Sequence, residues 1–85
     1  MRREPDYFGE QELQLIYIAK RLREAKALEG LLTEQSVDYL VEPDKYYGGV
    51  IFRGERIGAF FYVLEQDTER ARFILSQKGY VPAQI

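Results

Sequence analysis

Residues 49–64 read GVIFRGERIGAFFYVL, the run richest in β-branched and aromatic residues in the chain. Gly54 and Glu55 divide it into two apolar halves, a spacing that predicts a tight hairpin with glycine supplying the positive φ. With that turn, Phe52 pairs with Ile57 and Val50 with Ala59. Alternation along the strands then sends Val50, Phe52, Ile57, Ala59, Phe61 and Val63 to one face. Ile51, Arg53, Arg56, Phe60, Tyr62 and Leu64 fall on the other. The first set reads as core, and the second as an amphipathic surface.

On the N-terminal side, Leu13, Leu15 and Tyr17 alternate with Ile16 and Ile18, which predicts a strand over 12–19 that is apolar on both faces in its second half. Residues 20–35 are rich in Ala, Leu, Glu, Lys and Arg and predict a helix, with Ala25, Leu28 and Leu32 on one stripe and Leu22 and Leu31 beside it. Gly30 interrupts good helix formers, so a close neighbour is expected there. Val37, Tyr39 and Val41 then alternate with Asp38, Leu40 and Glu42 as a half-buried strand, which Pro43 is expected to end. Residues 43–48, Pro-Asp-Lys-Tyr-Tyr-Gly, read as a distinctive loop. Beyond the hairpin, Asp67 or Thr68 caps a second helix whose Ala71, Ile74 and Leu75 face the core and which Gly79 ends. Tyr80, Val81 and Pro82 fold back; whether residues 80–85 add a final strand is left open by the pattern. Residues 1–11 read as a flexible arm with Tyr7 and Phe8 resting on a single α+β domain over 12–85.

Eighty-five residues, 46% of them hydrophobic and 14% aromatic, are enough for one core and too few for two. With no cysteine and no histidine, the chain has no disulfide, no thiolate zinc site, no cysteine nucleophile and no imidazole base. No apolar run approaches transmembrane length, so no membrane partner is expected, and a cytoplasmic location is the expectation. A net charge of −2 with a pI near 5.1 argues against broad attraction to phosphate backbones.

Two helices on one face of a mainly antiparallel sheet give a two-layer α+β sandwich of ferredoxin-like type. The second sheet face then has no helix to cover it, and its aromatic and Arg side chains suit a partner. The segments Glu24–Leu32 and Val37–Val41, with Gly48-Gly49-Val50, Val63–Asp67, Glu69-Arg70-Ala71 and Ile74-Leu75, resemble the small prokaryotic signal-transducing proteins whose fold is like that of the nitrogen-regulatory PII proteins. The resemblance covers roughly residues 13 to 76 and implies a regulatory role without catalytic residues. The phosphate-contacting loops of true PII proteins are not matched, so it implies no nucleotide cofactor.

Two candidate sites follow. Glu42, Asp44, Tyr46, Tyr47, Gly48 and Gly49 bracket a loop whose carboxylates and tyrosines could hold a small ligand or a divalent cation, although their spacing matches no calcium loop and a solvated turn is the ordinary explanation. Ile51, Arg53, Arg56, Phe60 and Tyr62 form an interface candidate, since aromatics and arginine are enriched where proteins meet. The same residue types occur on RNA-binding sheets, but the acidic balance disfavours nucleic acid. Glu29 could be a partly buried carboxylate, yet no carboxylate pair is spaced for acid–base chemistry. The expected function is a non-enzymatic regulatory or protein-interaction module without cofactor or metal. Its expected partners are a second copy, giving a homodimer through the open sheet face, and another protein. A small-ligand sensor with its site near residues 43–49 is the alternative.

Overall fold

A computed structural model describes residues 1–47 and 55–81 and, for Tyr46, Tyr47 and Glu55, the backbone only. The chain is an α+β protein built on a three-stranded sheet of order β1-β3-β2. Strand β1 is Leu13–Ala19, β2 is Tyr39–Tyr47 and β3 is Glu55–Leu64. β3 is antiparallel to both neighbours, so β1 and β2 run parallel to each other on either side of it. A short helix α1 (Pro5–Phe8) precedes β1, the long helix α2 (Leu22–Glu34) links β1 to β2, and a 3-10 turn over Glu65–Asp67 leads from β3 into α3 (Thr68–Gln77). No helix among the described residues is long and apolar enough to cross a membrane.

Both long helices cover one sheet face. Ala25, Leu28 and Leu32 of α2 and Ala71 and Leu75 of α3 share a single buried cluster with Ile16, Ala19, Tyr39, Phe61 and Val63. The apolar stripes expected on the helices are therefore the buried ones, as are Phe61 and Val63 of the expected core face. Burying side chains of this size contributes about 1.5–3 kcal/mol each. Tyr39 and Phe61 lie on neighbouring strands with ring centroids 5.8 Å apart. The Tyr39 hydroxyl reaches α2, donating to the Glu29 carbonyl at 3.2 Å.

Several local expectations are corrected. Pro43 does not end its strand: β2 continues to Tyr47, with Pro43 opposite Ala59. β2 is an edge strand of the sheet, where the missing proline N–H is tolerated. The loop expected over 43–48 is thus strand as far as Tyr47. The hairpin register also changes. Ala59 is held between Ala19 and Pro43 and Ile57 pairs with Lys45, whereas the expected partners Val50 and Phe52 lie outside the described residues. Gly48–Gly54, including Ile51 and Arg53, lie outside the described residues, as do Pro82–Ile85. Gly30 has no close neighbour, since a Cβ built there meets nothing within 4 Å.

Where composition suggests a flexible arm over 1–11, the structure gives these residues defined contacts. Arg2 forms a parallel bridge with Tyr39, and the Arg3 N–H donates to the Tyr39 carbonyl at 2.8 Å. Asp38, on the opposite side of the strand from Tyr39, accepts from Arg3 Nε at 2.9 Å and from the Tyr7 hydroxyl at 3.2 Å. Those bonds hold α1 on the side of the sheet away from α2 and α3. Phe8 is only 2% exposed, yet it stands outside the main cluster. The second face is therefore not left wholly bare.

Candidate functional site

The register decides which candidate residues meet. Counting along β2 and β3 from Tyr39 and Phe61 on the helix-covered face, Leu40, Glu42 and Asp44 share the second face with Arg56, Gly58, Phe60, Tyr62 and Leu64. Leu40 sits opposite Tyr62, Glu42 opposite Phe60 and Asp44 opposite Gly58. Leu13, Leu15 and Ile18 add to that face from β1, opposite Leu64, Tyr62 and Phe60. Residues expected in two separate sites, a ligand loop and an interface, thus stand side by side.

Electrostatics on this face agree with the placement. Burial pushes the Tyr62 hydroxyl pKa above its ordinary value, and the negative fields of Asp44 and then Glu42 push it further. Glu42, Asp44 and Arg56 are exposed, whereas Phe60 is 9% and Leu40 6% exposed. The result is an apolar floor of Phe60, Leu40 and Ile18, with charges of both signs at its rim.

Of the ligand-loop residues, Tyr46 and Tyr47 are strand residues opposite Arg56 and Glu55, while Gly48 and Gly49 lie outside the described segment. Among the described residues, no group of three acidic side chains could hold a metal ion. Glu29 is engaged elsewhere, 3.7 Å from the Arg2 guanidinium.

Two side-chain constellations escape the sequence reading. Asp38 gathers Arg3 and Tyr7, and the Arg3 guanidinium lies 4.3 Å from the centre of the Tyr7 ring. Desolvation opposes ionisation of Asp38, but the Arg3 and Tyr7 hydrogen bonds and the Arg3 charge outweigh it and hold its pKa low. Glu24 accepts the Tyr17 hydroxyl at 2.9 Å and the Lys20 N–H at 3.1 Å, and Tyr80 packs edge-on against Tyr17. Burial, then the bond and charge of Glu24, push Tyr17 up to about 12. Neither constellation has a spacing signal, because each joins residues from different elements. In comparison with known proteins, no family model, no curated protein and no solved structure matches this chain.

Proposed function

We propose that this protein is a small non-enzymatic regulatory module that acts by protein–protein contact and pairs with a second copy through its second sheet face. The observation that carries this reading is the row Arg56, Gly58, Phe60, Tyr62 beside Glu42 and Asp44 on a face that α2 and α3 leave uncovered. Such a row is self-complementary. A two-fold axis lying in the interface and crossing the strands at Gly58 sets Arg56 of each copy over the Glu42–Phe60 pair of the other.

The reading takes the fold as a ferredoxin-like sandwich, because β1, α2, β2, β3 and α3 follow its order of strands and helices. The regulatory part rests on the resemblance to the PII-like signal-transducing proteins. The non-enzymatic part rests on the absence of histidine and cysteine from the sequence. A cytoplasmic setting belongs to the same proposal.

Sedimentation equilibrium across a micromolar range, at low and high salt, tests it. A dimer is expected that weakens in Arg56→Glu and recovers in the charge swap Arg56→Glu with Glu42→Arg. A monomer at all concentrations, or a dimer indifferent to Arg56→Glu, overturns the assigned surface.

A further inference from the structure

The helix-covered face carries a feature that the self-association surface does not use. Between the first turn of α2 and the neighbouring ends of β2 and β3 runs an open groove of about 280 Å³. Leu22 and Ala25 form its helical wall, and Pro43, Ile57 and Ala59 its sheet wall. Leu22 is 73% and Ile57 71% exposed, so two large apolar side chains face water on opposite walls of one groove. Exposed apolar surface gathered in this way marks a binding groove more often than chance scatter does.

Among the described residues, the charged side chains that line it are Arg2, Lys20 and Arg21, in a chain whose net charge is −2. Arg2 lies 3.7 Å from Glu29, and Arg21 is exposed at the end of α2. An apolar trough with a cationic rim complements a molecule with an apolar tail and an anionic head. Its volume falls near the small end of ligand pockets, about 300 Å³, which fits a free small molecule rather than a protein segment.

We infer that this groove binds a small amphiphilic carboxylate, with the tail between Leu22 and Ile57 and the head at Arg21 and its neighbours. The site is separate from Glu42 and Asp44, which alternate with Pro43 and lie on the other side of β2.

The test uses the full-length, isotope-labelled protein and amide NMR, with decanoate below its micelle concentration as the probe. Decanol and decyltrimethylammonium share the tail and replace the head. Decanoate is expected to shift the amides of Leu22, Ala25, Ile57 and Ala59 saturably, and the two controls to bind about tenfold more weakly. Leu22→Ser and Arg21→Gln alter exposed side chains, and each is expected to weaken decanoate by about fivefold to tenfold while signals of the sheet core stay in place. Unmoved groove amides overturn the proposal. Equal binding of decyltrimethylammonium, or decanoate binding unchanged in both variants, does so as well.

Discussion

Ser36 adopts φ 60°, a left-handed conformation that favours glycine. It stands just past α2, where the Ser36 N–H donates to the Thr33 carbonyl and the Val37 N–H to the Leu32 carbonyl, at 3.1 and 2.9 Å. This paired closure satisfies carbonyls that the helix end leaves open, and it sets the buried Val37 against Leu32. α3 ends in the same way, but there Gly79 takes the left-handed position, at φ 84°. Gly79 marks the second terminus in the sequence, while the first, expected at residue 35 and found at Glu34, carries no glycine. Ser36→Gly is expected to stabilise the protein by about 1 kcal/mol through relief of the Cβ clash. Gly30 invites the opposite change: its site is open and helical, so Gly30→Ala is expected to add about 1 kcal/mol. Either gain raises the melting temperature of a domain this size by about 4–8 °C in calorimetry. A fall in Gly30→Ala would mean that the helix needs its glycine for a contact outside this chain.

At the scale of the element, β1 shows what periodicity can and cannot convey. Its register slips between Leu15 and Tyr17, so that Leu15 faces Tyr62 while Tyr17 faces Phe61. Ile16 is the extra residue and is fully buried, and Tyr17 follows it onto the same side. Apolar residues on both faces were readable, but the bulge that sorts them was not, because it depends on how β3 lies alongside. Pro43 misled for a related reason: proline stops an interior strand, and only the sheet order makes β2 an edge. The bulge also aims the Tyr17 hydroxyl at Glu24, tying β1 to the first turn of α2. With its folded pKa raised from 10.0 to about 12, Tyr17 keeps its proton in the native chain while the unfolded chain loses it. The native state then binds more protons over that interval, so stability must fall as pH climbs from about 10 to 12. Urea midpoints measured across the interval are expected to drop. Tyr17→Phe should start lower at neutral pH by about 1 kcal/mol and decline less steeply. An unchanged slope in that variant would assign the alkaline loss to Tyr39 and Tyr62, whose pKa values are also raised.

For the whole molecule, the two long helices and the buried Phe61 and Val63 of β3 were legible because their apolar spacing is local, whereas Ile57, expected on the same core face, is 71% exposed. The seating of the N-terminal residues was not, since it rests on Asp38 meeting Arg3 and Tyr7 across more than thirty positions of sequence. The same limit applies to the candidate site, whose carboxylates and aromatics were identified but whose meeting on one face waited on the register. The Asp38 contacts make a prediction about the order in which the molecule comes apart in acid. The hydrogen bonds and charge of Arg3 hold the Asp38 pKa below its ordinary value despite burial. A carboxylate depressed in the fold contributes stability above its ordinary range and loses it as pH falls through its folded value. Protonation of Asp38 removes the charge that faces Arg3 and weakens the hydrogen bonds accepted from Arg3 Nε and the Tyr7 hydroxyl, while Phe61, Val63 and the helix stripes are untouched by it. The N-terminal residues should therefore detach before the core opens. Amide hydrogen exchange at Arg3 and Tyr39, whose N–H groups bridge the two segments, is expected to accelerate at acid pH ahead of the β3 amides. Asp38→Asn should show that acceleration already at neutral pH, at a cost of about 1 kcal/mol in urea unfolding, and should lose most of the acid dependence. If Arg3 and the β3 amides instead exchange together at every pH, Phe8 and its surroundings belong to the same cooperative unit as the main core. Asp38 would then govern the stability of the whole domain rather than the attachment of its first residues.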